Sequence, residues 1–166
     1  MSPTDRPDVW DERTTLLTMW RYTRAVAAAK CSDAPATAIG APTVPTSPLT
    51  TLGGIANHQR WVEHWWLDVV FLGHEDRAPW TDADPDAEFR IGAEQPISLT
   101  LREWADQSAA IEAAIEGHDL DERGRDWRRS TEPPTLRWVL LHLIEENARH
   151  NGHLDLLREI ADGATG

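Results

Sequence analysis

The chain has 166 residues, 40% hydrophobic and 27% charged, the size and composition of one globular domain, which excludes wholesale disorder. Its 16 basic against 28 acidic side chains give a net charge of −12, and no basic cluster offers the counterion exchange that nucleic-acid binding needs. No apolar run of about 18 residues is present to cross a membrane, and Met1 to Arg6 lacks the apolar core of a signal peptide. With a single cysteine, Cys31, and so no internal disulfide, a cytoplasmic protein is expected.

Four segments carry a helical period. The first is expected from Asp8 to Cys31, with Leu16, Trp20, Thr23, Ala27 and Cys31 on one face. Asp8 would cap it, and Asp11 and Glu12 suit the positive end of its dipole. Ala34 to Thr46 holds three prolines and a glycine and reads as a loop. The second helix is expected from Ser47-Pro48 to Leu72, with Leu52, Ile55, Val62, Trp65 and Val69 as its apolar stripe. Gly73 to Pro96 reads as a connection well beyond the usual ~4–6 residues.

Thr100-Leu101-Arg102-Glu103 reads as a capping box that opens the third helix. The seam of that helix is Leu101, Trp104, Ser108, Ile111 and Ile115, and Gly117 stops it. Arg123 to Arg129, broken by Asp126, reads as a solvated loop. Pro133-Pro134-Thr135 launches the fourth helix, which runs to about Ala161 before Gly163. There is no strand-like alternation and no internal repeat. The pattern therefore predicts an all-α four-helix bundle with long connecting loops, residues 1–166 forming a single domain.

Polar residues that interrupt the buried stripes carry the chemistry. At ~100° per residue, Val139, Leu143, Leu154 and Leu157 point one way on the fourth helix, and Glu146 and His150 fall inside that arc. On the second helix His58 lies on the stripe between Ile55 and Val62, whereas His64 points away. A core-facing His and a core-facing Glu-x-x-x-His make three metal-type ligands with an open fourth position, the count of catalytic zinc. The same set suits Ni²⁺ or Fe²⁺. Plainer readings stand beside it: a hydrogen-bonded core histidine at His58, and an ion pair at Glu146 and His150.

His142 and His153 flank the ligand face as supporting or surface residues, His153 being the competitor for a ligand role. His74 and His118 sit in loops, and Cys31 reads as a buried spectator thiol. Nine Trp stand against one Tyr and two Phe. Trp20, Trp104 and Trp65 are expected on core faces, and Trp61 and Trp65 beside the open position as substrate contacts or as packing. No phosphate loop, nucleophile elbow, dinucleotide turn, CxxC pair or deaminase motif is present.

The segment Trp138-Val139-Leu140-Leu141-His142-Leu143-Ile144-Glu145-Glu146-Asn147-Ala148-Arg149-His150-Asn151-Gly152-His153 resembles the last helix of the DinB-like superfamily. Leu52-Gly53-Gly54-Ile55-Ala56-Asn57-His58 with Trp61-Val62-Glu63 resembles its second helix, and the likeness covers nearly the whole chain. The resemblance implies an up-down-down-up bundle whose divalent metal is held by a His of the second helix and two residues four apart on the last. Those positions are His58, Glu146 and His150 here. Glu at position 146, where many members carry His, is similar to the branch of mycothiol-dependent maleylpyruvate isomerase. The Arg-rich, Lys-poor composition fits the actinobacterial source of that branch. A match to the isomerase's separate C-terminal domain is missing, so maleylpyruvate is not the expected substrate.

The resemblance thus implies a metal-dependent transferase or isomerase that uses a low-molecular-weight thiol such as mycothiol, with an electrophile as second substrate. The alternatives are a hydrolase acting through metal-activated water and a non-catalytic bundle that binds metal or a small ligand. Relatives are often dimers, which leaves a homodimer open.

Overall fold

The structure, a computed structural model, describes residues 4–127 and 132–165. Arg128 and Arg129 of the basic stretch, residues 1–3 of the N-terminal segment and Gly166 lie outside the described residues. The elements are α1 (Glu12–Ser32), a 3₁₀ turn (Ala36–Ala38), α2 (Leu52–Glu63), which continues as a π-helix (His64–Phe71), α3 (Ala87–Glu94), α4 (Ile97–Ile115) and α5 (Leu136–Asp162). No strand occurs among the described residues, and none of the helices described is long and apolar enough to cross a membrane.

Cross-helix pairs fix the topology. Arg137 meets Glu12, and Asp155 meets Lys30, so α1 and α5 run parallel. Arg13 reaches the carbonyls of Ile115 and Glu116 while Arg24 reaches Glu112, which sets α4 antiparallel to α1. His58 packs on His150 and Trp66 on His142, so α2 opposes α5. The order is up-down-down-up. Two consecutive long helices pointing the same way need a crossover, and that is why the connection after the π-helix is long.

Several helix starts differ from the sequence expectation. Asp11, not Asp8, caps α1, its carboxylate accepting from the Thr14 N–H at 2.8 Å. Thr51, not Ser47, caps α2 by accepting from the Gly54 N–H, and Ser47 instead sits in a turn that accepts from the Thr50 N–H. The expected capping box is absent: α4 begins directly after Pro96, and Thr100 is buried inside it, where Gln95 donates to its hydroxyl. Glu103 pairs with Arg60 at 2.6 Å. The expected loop from Gly73 to Pro96 contains α3. The last helix follows its expected bounds closely, capped by the Thr135 hydroxyl and ended by Gly163 at φ 76°.

The core has two apolar clusters. One gathers Leu16, Trp20, Leu67, Phe71, Ile111 and Leu143, and the other Ala27, Leu52, Ile55, Trp104, Leu154 and Leu157. Between them each long helix contributes polar side chains. Gln59 donates to Asn147 at 3.2 Å, and Asn147 donates to Thr23 at 3.4 Å. Glu63, 1% exposed, accepts from Trp104 and Ser108 with Arg24 at 3.6 Å. Burial pushes the Glu63 carboxyl above its ordinary range, against the pull of Arg24. These contacts offset part of the cost of burying the band's polar groups, although Gln59 Oε1 has no hydrogen-bond partner.

Candidate metal centre

At the level of this polar band, α2 and α5 bring His58, Glu146 and His150 together. One ligand atom from each lies within 4.8 Å of the other two, and all three side chains are half-buried. Glu146 and His150 share a face because they are one turn apart, with His150 Nε2 at 3.4 Å from Glu146 Oε2. The imidazoles of His58 and His150 meet edge-on, centroids 5.1 Å apart.

The setting of His58 comes from α3. Glu88 Oε1 lies 3.3 Å from His58 Nδ1, and Phe89 stacks on the imidazole at 4.4 Å. With Nδ1 engaged by a carboxylate, Nε2 is the atom left for a ligand. This is the arrangement in which an outer carboxylate fixes the tautomer and orientation of a metal-binding histidine. Asn57 Nδ2 donates to the Glu88 carbonyl at 2.7 Å, tying the two helices at the same level. Their backbones touch through Gly53 and Gly92: a Cβ on Gly92 would stand 2.3 Å from the Gly53 carbonyl oxygen. Only glycine permits that approach.

The charge states suit a cation. Burial pulls the His150 pKa down to about 4, helped by the neighbouring His58, His153 and Arg149, so the ring is neutral at pH 7, the form that ligates. Glu146 supplies the negative charge, and Arg149 Nη2 lies 2.6 Å from its Oε1. Two imidazoles and one carboxylate from facing helices, within reach of a single ion, fit a divalent metal of the zinc type. His142, Glu145 and Glu146 form a second group of converging ligand atoms. It lies on α5 alone, shares Glu146, and its Glu145 is exposed and held by Arg149 at 2.9 Å.

His153 is exposed and touches the trio only through His150, their Nδ1 atoms 3.4 Å apart. His142 stacks on Trp138 at 4.9 Å and lies 3.8 Å from Glu146. Trp61 is turned to the other side of α2. It faces His64 and Trp80 under the Arg60 guanidinium and lines a separate cleft with Gln107 and Ala110 of α4. Trp65 is half-buried on the π-helix. Trp66 faces α5, in ring contact with Trp138 and His142. Cys31 is fully buried, and burial pushes its thiol up to about 12, so the chain offers no reactive thiol of its own.

Two groups escape sequence reading. Glu88 and Phe89 lie in a segment without a long apolar period. His64, expected to point outward, is buried: its Nδ1 meets Asp68 at 3.0 Å and its Nε2 accepts the Arg77 N–H at 3.1 Å. Asp68 also holds His74 at 2.6 Å and Arg77 at 3.2 Å. Burial works against the charge on Asp68, but His74 and His64 outweigh it and hold the carboxyl below its ordinary range. The cluster pins the residues after Gly73 onto the π-helix, an element often found near functional sites.

An all-helical up-down-down-up bundle whose second and last long helices present a His, Glu, His cluster has the architecture of DinB-like proteins. The chain matches the family model for mycothiol S-transferases over residues 15–163, nearly its whole length, and it belongs to that family. Membership points to a transferase function that involves mycothiol, a small thiol. No curated protein matches the chain.

Proposed function

We propose that the protein is a metal-dependent S-transferase in which His58, Glu146 and His150 hold one divalent ion, Zn²⁺ foremost, and mycothiol is the thiol co-substrate. The observation that carries this reading is the convergence of the three ligand atoms from two helices, beside a chain whose own cysteine is inert. A divalent ion held by these three residues would lower the pKa of a thiol and so supply thiolate at neutral pH, the proton passing to solvent. Attack of that sulfur on an electrophilic carbon would form the C–S bond while the leaving group departs with its electron pair.

The side chains prepare that step. Glu88 holds His58 Nδ1, so the ring presents Nε2 in one orientation. Burial keeps His150 neutral and available. Val62, one turn from His58 on α2, is half-buried and packs against the main apolar cluster. The test is turnover of a generic electrophile with mycothiol by the zinc-loaded protein, compared with Glu146→Ala. Conjugate formation that disappears in the variant supports the reading. Hydrolysis of the electrophile without thiol consumption would move it to the hydrolase alternative, and thiol binding without turnover to a binding protein.

A further inference from the structure

The antiparallel pairing of α2 and its π-helical continuation with α5 stays in register over two turns. His58 meets His150 at one point; eight residues on, Trp66 meets His142 and Trp138, with centroids 4.8 and 5.1 Å away. On α5, Trp138, His142, Glu146 and His150 follow each other at four-residue spacing and form one ridge of the helix. At ~1.5 Å per residue, Trp138 stands about 12 Å from Glu146 along the axis. The Trp cluster therefore lies about two turns along α5 from the candidate ligands, with His142 between them.

There Trp66, Trp127 and Trp138 wall a cleft of about 540 Å³, with Arg123 and Glu132 on its rim. Trp138 remains 45% exposed although it also stacks on His142. The Arg123 guanidinium and the Glu132 carboxylate are paired at 2.6 Å. Indole walls with a charged rim suit a polyhydroxylated ring. The C–H face of such a ring rests on the electron-rich indole, and its hydroxyls donate to a carboxylate and accept from a guanidinium. An offset of about 12 Å places the cleft too far from the trio to hold reacting atoms.

We infer that this cleft holds the sugar–cyclitol end of the thiol co-substrate while the thiol reaches His58, Glu146 and His150. The inference rests on the thiol-transfer reading. Mycothiol bears its cysteine on a glucosamine–inositol pair, which supplies both the reach and the hydroxyls. Binding of this remote part positions the sulfur, so selectivity among thiols resides at Trp138 rather than at the ligand trio.

Two titrations of the full chain test this. Glucosaminyl inositol, which has no thiol, is added to the zinc-free protein and followed by tryptophan fluorescence. Mycothiol and N-acetylcysteine are compared on the zinc-loaded protein by calorimetry. The sugar is expected to bind, and Trp138→Ala to weaken it by about tenfold and to lower the preference for mycothiol over N-acetylcysteine by a similar factor. Trp138→Phe recovers part of the loss. Arg123→Gln leaves the indole wall in place and shifts both readouts in the same direction, so the test survives a Trp138→Ala chain that does not fold. Sugar binding that needs Trp138 in a chain that takes up no zinc supports the cleft and removes the metal reading. The inference is overturned if the sugar does not bind at millimolar concentration, or if Trp138→Ala weakens both thiols equally. A rise in KM for the electrophile with mycothiol affinity kept also overturns it.

Discussion

Glu88 Oε1 lies 3.3 Å from His58 Nδ1, so a helix of eight residues sets the direction of a candidate metal ligand on its neighbour. Without that contact the ring is free to rotate about its Cβ–Cγ bond. Glu88→Ala is therefore expected to lower zinc affinity by about 10–100-fold while the helical content stays native. Glu88→Gln keeps an acceptor for Nδ1–H and is expected to lose less. Competition with a chelating dye measures both.

The close crossing of α2 and α3 makes a second prediction. In Gly92→Ala the new methyl would stand 2.3 Å from the Gly53 carbonyl oxygen and 2.6 Å from Asn57 Cβ, so the helices must part. The expected loss is about 2–3 kcal/mol in urea unfolding, with weakened zinc binding because Glu88 moves off His58. Gly152→Ala is the control. It lies inside α5 with nothing within 4 Å of the added Cβ, and it is expected to gain about 0.5–1 kcal/mol.

The buried Glu63 separates charge from hydrogen bonding. Glu63→Ala strips Trp104 and Ser108 of their acceptor and leaves Arg24 under-neutralised, an expected loss of about 3 kcal/mol. Glu63→Gln keeps an acceptor and removes the charge that burial disfavours, so its loss is expected to be smaller. Denaturant midpoints of the two variants decide between these outcomes.

Acid sensitivity follows from two histidines. Burial holds the His64 pKa below its ordinary value near 6.5 and brings that of His150 to about 4. Between the folded and unfolded values the unfolded chain binds more protons, so stability is full above about 6.5 and falls as pH drops through that window. Each histidine contributes a slope of up to about 1.4 kcal/mol per pH unit. Asp68 adds nothing there, because its carboxyl is held low and loses its charge only in stronger acid. In metal-free protein, His64→Gln is expected to flatten the stability profile between pH 6.5 and 5; an unaltered slope would contradict this assignment.

Much of the fold was readable where one face of a helix meets the core. On α1 the predicted stripe of Leu16, Trp20, Thr23, Ala27 and Cys31 is the buried set, and α5 follows its Thr135 cap and Gly163 stop. His58, Glu146 and His150 could be picked out because polar residues on an apolar stripe need partners. The stripe argument failed on α2, which α1, α3, α4 and α5 surround. His64 is therefore buried on a face taken to be outer, and Glu63 beside it is buried too. The π-helix depends on a shifted hydrogen-bond register, with the Leu72 N–H donating to the Leu67 carbonyl, for which no residue type is a marker. α3 is short and polar, and it is held by a glycine contact and an Asn57 side chain rather than by its own period.

The most direct test of the account is the metal content of the purified chain. Elemental analysis is expected to find about one divalent ion per chain, zinc foremost, lost in Glu146→Ala and in His150→Ala while the circular-dichroism spectrum stays helical. A wild-type chain that takes up no divalent ion from zinc-containing buffer, or variants that retain it, would contradict the placement of the metal at His58, Glu146 and His150.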